Sequence, residues 1–325
     1  MRTKLMSAFL TAGLLSLALP VSTPAWAQDS GAADKQAKQP EQKPLYDEKA
    51  DAQKQIEKAL AEARKENKRV LLQWGANWCG WCTILDKHFK TQPGVRRELQ
   101  YEYIVAHIDV GKFDKNVELA KKYGANFKEH GVPFLTVLSA EGKPLANQET
   151  GSLEIEGKPL HDPEKVLAFL KKHEAPRQNA SAVLSDALAK ADSEGKRVFL
   201  HFGAPWCGWC HRLEDWMETE EAAQLLGKDF IDCKIDIDRM IGGKEMLAKY
   251  RKSEGGGIPW FCFVEPSGQV VVTSDGPTGN VGCPWTDEEI AAFGKILSEA
   301  TQKLDAEQVE ALLASLKAFK AKLSG

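Results

Sequence analysis

Two tetrapeptides, Cys79-Gly80-Trp81-Cys82 and Cys207-Gly208-Trp209-Cys210, hold the residues most suited to chemistry in this chain. Cysteines with two residues between them can exchange disulfides, hold a metal or form a structural bridge. A structural bridge is disfavoured, because a disulfide across two residues closes almost no loop and removes little unfolded-state entropy. Structural zinc is disfavoured by spacing. Such sites gather their pairs over about 15–20 residues, whereas 124 residues lie between Cys82 and Cys207. Thiol–disulfide exchange needs a thiolate, and a sulfur at a helix N-terminus is helped toward one by unpaired N–H groups and the positive end of the helix dipole. The second cysteine then lies one turn on, where it can attack a mixed disulfide formed at the first.

The elements that must position these cysteines are legible around them. Each tetrapeptide follows a buried-strand pattern, Val70 to Trp74 or Val198 to Phe202, and opens a helix with an apolar stripe of Leu85 and Phe89, or Leu213, Trp216 and Met217. The surroundings repeat too. Lys68 to Cys82 and Lys196 to Cys210 agree at 11 of 15 positions, differing at Leu71/Phe199, Gln73/His201, Trp74/Phe202 and Asn77/Pro205. Downstream, HIDV (His107 to Val110) answers KIDI (Lys234 to Ile237), and GVPFLTVLSAEGK from Gly131 answers GIPWFCFVEPSGQ from Gly257. The chain is two copies of one domain, joined near Glu174 to Asn179. Each copy starts with a helix (Ile56, Leu60 and Ala63; Val183, Ala187, Leu188 and Ala191). After the CxxC helix come a second strand (Ile104 to Val110; Phe230 to Ile237) and a helix running into a Gly-rich loop. That loop ends in Val132-Pro133 or Ile258-Pro259. A β-hairpin and a closing helix follow. The second copy adds a helix with Val309, Leu312, Leu313, Leu316 and Phe319 on one face, which reads as a packing helix.

Strand, CxxC at a helix start, strand, helix, X-Pro, hairpin and helix in that order resembles the thioredoxin superfamily, in particular its secreted or periplasmic members. The resemblance runs from about Asp47 onward. It implies an α/β fold of two tandem thioredoxin-like domains, residues 45–175 and 176–325, each a central mixed β-sheet flanked by helices. It implies Cys79 and Cys207 as attacking thiols and Cys82 and Cys210 as resolving thiols, with disulfides Cys79–Cys82 and Cys207–Cys210 in the oxidised form. Pro133 and Pro259 are then the cis-prolines, and the backbones of Val132 and Ile258 pair with an extended substrate. Trp78, Trp81, Trp206 and Trp209 complete the substrate surface. No metal or cofactor is implied.

The sequence departs from plain thioredoxins in two respects. Those proteins carry a buried Asp six residues before the first cysteine, where this chain has Gln73 and His201. Gln cannot exchange a proton there. His201 can, with an unperturbed pKa of about 6.5, or it is a strand polar group satisfied by its neighbours. His211, answered by Thr83 in the first copy, either stabilises a thiolate or stands exposed on its helix. Inside the CxxC, Gly-Trp replaces the Gly-Pro of thioredoxins and the Gly-His of disulfide isomerases. The potential stays open across a span of about 150 mV.

The 325 residues suffice for two domains, and the 43% hydrophobic and 27% charged content is that of a globular protein. A net charge of −3 offers no basic excess for nucleic acid. Of seven cysteines, Cys233 and Cys262 fall in core strands and Cys283 in a loop; an odd total leaves at least one thiol unpaired. Arg2, Lys4, the apolar stretch from Leu5 to Leu19 and Ala25-Trp26-Ala27 read as a signal peptide, residues 1–27. Residues 28–44 read as a disordered tether. The mature protein is expected in the periplasm or outside the cell, not inserted in a membrane, where disulfides persist. The expected function is thiol–disulfide oxidoreduction of the reductase or isomerase type on disulfide-containing client proteins, kept reduced by a membrane electron donor. The alternative is a redox-linked client-binding chaperone, or an assembly factor for metal or haem proteins.

Overall fold

A computed structural model describes residues 44–252, 256–276 and 279–324. The signal-peptide and tether segments lie outside the described residues, apart from Pro44. In chain order the first domain contains α1 (Ala52–Glu66), β1 (Arg69–Gly75), α2 (Gly80–Thr91), α3 (Pro93–Glu102), β2 (Tyr103–Asp109), α4 (Val117–Lys122), α5 (Phe127–His130), β3 (Phe134–Leu138), β4 (Pro144–Glu149) and α6 (Pro163–Lys172). The second contains α7 (Ala180–Glu194), β5 (Arg197–Gly203), α8 (Gly208–Met217), α9 (Glu220–Asp229), β6 (Phe230–Asp236), α10 (Gly243–Tyr250), β7 (Trp260–Val264), β8 (Val270–Thr273), the short pair β9 (Asp275–Gly276) and β10 (Gly279–Asn280), α11 (Asp287–Ala300) and α12 (Ala306–Ser324).

Each domain is built on a four-stranded mixed sheet, ordered β2-β1-β3-β4 and β6-β5-β7-β8. The central strand pairs in parallel with β2 or β6 and antiparallel with β3 or β7. It is buried on both faces, which is why Val70 to Trp74 and Val198 to Phe202 read as almost unbroken apolar runs. In the first domain one face is covered by α1 through Ile56 and Ala63, the other by Leu85, Phe89, Val166 and Leu170. These are the two thioredoxin-like domains that the motif order implied.

The sequence reading passed directly from the CxxC helix to the second strand, but a further helix intervenes in each copy. Pro93 sets it in the first: it lacks an N–H and its φ suits a helix start, so α2 stops at Thr91 and α3 begins with Pro93 at its first turn. In the second domain the break falls at Glu218 and Thr219, and α9 follows. The added helix α12 packs on its own domain. Leu312, Leu313 and Leu316 enter the core beside Trp216, whose indole N–H donates to Ser315 Oγ at 3.0 Å. The Asp229 carboxylate accepts from the N–H groups of Gln302, Lys303 and Leu304 and fixes the turn leading into α12.

The described residues form one compact unit, and the two domains share a polar interface within it. Arg239 donates to both oxygens of Glu102 at 3.1 and 2.9 Å, and to the carbonyls of Glu66 and Asn67 at 2.7 and 2.8 Å. Lys234 reaches Glu66 at 2.9 Å. Gln100 Nε2 donates to the Pro205 carbonyl at 3.1 Å, and Tyr101 donates to Asp238 at 3.0 Å. The end of α3 therefore abuts the loop that carries the second CGWC, and the end of α1 abuts Lys234 in β6 and Arg239 just after it.

Candidate redox centres

Both CGWC pairs form disulfides, with Cα–Cα separations of 5.3 Å for Cys79–Cys82 and 5.2 Å for Cys207–Cys210. The first cysteine of each pair is the helix N-cap. Cys79 Sγ accepts from the Cys82 N–H at 3.0 Å, and Cys207 Sγ from the Cys210 N–H at 3.1 Å. In the reduced form this places the first sulfur where the backbone N–H groups and the helix dipole favour a thiolate. The second cysteine of each pair lies deeper; Cys82 is fully buried.

The Val132–Pro133 and Ile258–Pro259 peptide bonds are cis. Each presents the carbonyl before the proline to a sulfur: Val132 O lies 3.5 Å from Cys79 Sγ, and Ile258 O lies 3.5 Å from Cys207 Sγ. Both loops are pinned from behind. Thr150 donates to Pro133 O, and Asn280 Nδ2 donates to Pro259 O, each at 2.8 Å.

Trp78 and Trp206 are each 54% exposed despite a fixed indole N–H. Trp78 donates to the Gly111 carbonyl at 2.7 Å, and Trp206 to the Asp238 carboxylate at 2.9 Å. The tryptophans inside the motifs differ in company. Trp81 meets the edge of the His161 ring, while Trp209 packs against Trp285 with the Arg212 guanidinium 4.3 Å from its ring centre. The rim of the first centre is thus imidazole and indole, and that of the second is two indoles with a cation.

The floors of the two centres diverge more sharply. In the first, Tyr46 is fully buried against Cys82. Its hydroxyl accepts from Gln73 Nε2 at 2.8 Å, and its backbone is clasped by Asn77, which accepts from Tyr46 N at 3.0 Å and donates to Tyr46 O at 2.9 Å. Burial raises the Tyr46 pKa well above the usual phenol range. In the second, Glu214 is buried at the corresponding place. Its counterpart in the first copy, Asp86, turns away to Lys90 at 2.7 Å and His107 at 3.7 Å.

His201 is buried and its Nε2 is engaged by Asp232 Oδ1 at 2.9 Å. It faces a cavity of about 690 Å³ between the domains, which Asp232, Glu214, Lys234 and Glu66 also line. His211 Nε2 meets the Pro205 carbonyl at 3.1 Å, and its ring stays partly exposed. Cys233, Cys262 and Cys283 are buried free thiols, and burial pushes the Cys233 and Cys283 thiols up to about 12. Cys233 and Cys262 both lie opposite Leu200, on the two strands flanking the central one. Among the described residues no group of His, Cys, Asp or Glu is placed to hold a metal ion, and no helix is long and apolar enough to cross a membrane.

Sequence reasoning missed Tyr46, Glu214 and the interface residues. Only Glu214 left a signal. The repeat alignment places an acid, Asp86 or Glu214, four residues after each second cysteine.

A dithiol–disulfide pair at a helix start, facing a cis-proline loop on a four-stranded mixed sheet, defines the thioredoxin class of fold and site. The Thioredoxin-like family model matches residues 51–140 and 179–266, more than half the chain, and the chain belongs to that family. Protein disulfide-isomerase erp38 of Neurospora crassa is 29% identical over 203 residues, covering 61% of this chain and 51% of that protein. Protein disulfide-isomerase 1 of Dictyostelium discoideum is 24% identical over 195 residues, covering 60% of this chain and 52% of that protein. The chain thus spans about half the length of the curated relatives it matches. A solved structure of a disulphide isomerase from Xylella fastidiosa Temecula1 is 33% identical, covering 41% of this chain and 98% of that one, with a TM-score of 0.36.

Proposed function

We propose that the protein is a thiol–disulfide oxidoreductase that reduces or isomerises disulfides in client proteins through both CGWC centres. The observation that carries this is the doubled geometry: an N-cap sulfur 3.5 Å from the carbonyl before a cis-proline, with an exposed tryptophan beside it. Relatives named protein disulfide-isomerase support the same reading.

In the reducing direction the thiolate of Cys79 or Cys207 attacks one sulfur of a client disulfide. A mixed disulfide forms and the other client sulfur leaves as a thiolate. Cys82 or Cys210 gives up its proton and attacks the first cysteine, so the CGWC disulfide forms and the second client thiolate departs. Two electrons pass to the client. An external dithiol donor, in this reading held at a membrane, must restore the reduced pair. The client chain lies along Val132-Pro133 or Ile258-Pro259 and against Trp78 and Trp81, or Trp206 and Trp209. His201, held by Asp232, is a proton-transfer group of the second centre. Residues 1–27, read as a signal peptide, support a location in the periplasm or outside the cell.

The test is the reduction potential of each centre alone, with the other pair changed to Ser. Values near −270 mV support the reducing direction, and values near −120 mV overturn it. Cys82→Ser and Cys210→Ser separate catalysis from client binding. A catalyst accumulates mixed disulfides and loses turnover, whereas a binding module is unaffected.

A further inference from the structure

The rims of the two centres carry different chemistry, and Arg212 accounts for much of the difference. It stands on α8 three residues after Trp209, and a helical side chain leans toward the N-terminus of its helix. Arg212 is exposed, and its guanidinium lies 4.3 Å from the ring centre of Trp209 and 5.3 Å from that of Trp285. The two indoles meet edge to face, with ring centres 5.3 Å apart. Trp209 lies within the CGWC motif and is itself exposed, so the cation stands on the rim of the second disulfide. In the first copy the matching residue is Ile84.

The charge of Arg212 is unspent. Asp215, one turn further along α8, has the spacing for an ion pair. Among the described residues, however, Arg212 pairs with no carboxylate and folds back over the indoles. Glu289 is occupied nearby: its Oε2 accepts from the N–H groups of Trp285 and Thr286, each at 2.9 Å. The indoles cover the flat side of the guanidinium and leave its N–H edge for a ligand. The loop that brings Trp285 is joined to the cis-proline loop. Asn280 Nδ2 donates to the carbonyls of Gly257 and Pro259 at 3.1 and 2.8 Å, and a β-carbon at Gly282 would lie 3.2 Å from Pro259 O. One rim thus runs from Ile258-Pro259 through Gly282 and Trp285 to Arg212 and Trp209.

We infer that Arg212 is a specificity-determining residue of the second centre, which selects clients carrying a carboxylate, Asp or Glu, beside the cysteine under attack. This rests on the exchange reading above. A carboxylate accepts two parallel N–H bonds from a guanidinium in one plane, a match that no neutral side chain offers. The indoles already hold the guanidinium, so little side-chain freedom is lost when the client arrives. A basic client residue at the same place is repelled. The first centre puts Ile84 at this position and His161 against Trp81, so the two centres of one chain draw on different clients.

The experiment uses the full chain with Cys79→Ser and Cys82→Ser, reduced, and short peptides whose single cysteine is held in a disulfide with thiopyridine, a neutral coloured leaving group. The Cys207 thiolate attacks the peptide sulfur, the bond to thiopyridine breaks, and thiopyridine leaves with the electron pair. Cys210 then closes the CGWC disulfide and frees the peptide thiol. Release of colour gives the second-order rate constant. The peptides differ only beside the cysteine, where they carry Glu, Gln or Lys. The Glu peptide should react about fivefold faster than the Gln peptide, the upper end for an exposed ion pair, and the Lys peptide more slowly than both. The Glu-to-Gln ratio should fall toward one as salt is raised, and should be near one in Arg212→Ile. Arg212→Lys should keep a smaller, salt-sensitive preference. The first centre alone, with Cys207→Ser and Cys210→Ser, should give a ratio near one. A ratio near one in the parent overturns the inference, as does a ratio that survives Arg212→Ile or that the first centre matches. Equal slowing of all three peptides in Arg212→Ile assigns Arg212 to the thiol rather than the client, and overturns it too. If no peptide reacts faster with the folded chain than with the denatured one, the exchange reading itself has failed, and the inference with it.

Discussion

Glu102 and Arg239 are 137 residues apart in sequence and meet in a buried two-pronged ion pair across the domain interface. Both side chains are almost fully withdrawn from solvent, and Arg239 spends its other donors on the carbonyls of Glu66 and Asn67. Removing one member of such a pair leaves the other charged and unpaired, which costs about 3–5 kcal/mol. Arg239→Leu is therefore expected to uncouple the domains. Calorimetry should show two unfolding transitions in place of one, and a single unshifted transition would contradict this account.

The glycines that end the two central strands differ in the space around them. Gly75→Ala drives a methyl into Tyr46 and Cys82, and the overpacking should cost about 1–3 kcal/mol or more. At Gly203 the nearest atom to such a methyl is Cys210 Cβ at 3.2 Å. Gly203→Ala should be tolerated within about 1 kcal/mol. Denaturant unfolding of the two variants gives the comparison directly.

Tyr46 ties the segment before α1 to the first centre. Tyr46→Ala empties a fully buried site and should destabilise the first domain by about 3–5 kcal/mol, by analogy with other buried aromatics. It should also open Cys82 to alkylation in the reduced protein. Mass spectrometry after brief iodoacetamide treatment would show Cys82 labelled in the variant and protected in the parent.

The pH dependence of the first domain follows from two buried groups. His161 is held down to about 4, by burial first and by His88 second, and neither of its ring nitrogens has a partner. The folded state binds that proton less readily than the unfolded chain, whose His titrates near pH 6.5. Its stabilising contribution is complete above about pH 6.5 and is lost as pH falls toward about 4. Glu98 has the opposite sign. Burial, then Glu174, raises it to about 7, so its contribution is present below about pH 4.5 and lost as pH rises through about 7. Melting temperatures from pH 4 to 8 should lose part of their acid-side fall in His161→Asn and part of their neutral-side fall in Glu98→Gln. Parallel curves for all three proteins would refute the assignment.

Thiol counting separates the disulfide-bonded cysteines from the free ones. Of the seven cysteines, four are in disulfides. The folded, oxidised protein should show no thiol reactive to a charged alkylating agent at pH 8, because burial raises the pKa of Cys233, Cys262 and Cys283. Denaturation without reductant should release three.

The CGWC pairs, the X-Pro loops and the repeat were legible because they are local: a few residues fix each, and the duplication shows them twice. Even the burial of β1 and β5 could be read from their apolar runs. The helix break at Pro93 was within reach, since a proline after Gln92 favours a new start. What escaped was assembled at a distance. Tyr46 is one aromatic residue in a polar stretch, 31 residues from the Asn77 that clasps it. Lys234 and Glu66 are 168 residues apart. Periodicity carries no information about such pairings, because they depend on how finished domains meet. His201 was singled out from its strand position, but only the fold supplied Asp232 as its partner.

The carboxylate of Asp238 accepts from Trp206 in its own domain and from Tyr101 in the other. At the matching place in the first copy, a backbone carbonyl does the same service for Trp78 without outside help. In evolutionary terms the two copies are no longer interchangeable. The downstream copy has given part of the support of its CGWC loop into its neighbour's keeping, and a gene that shed the first domain would lose that anchor.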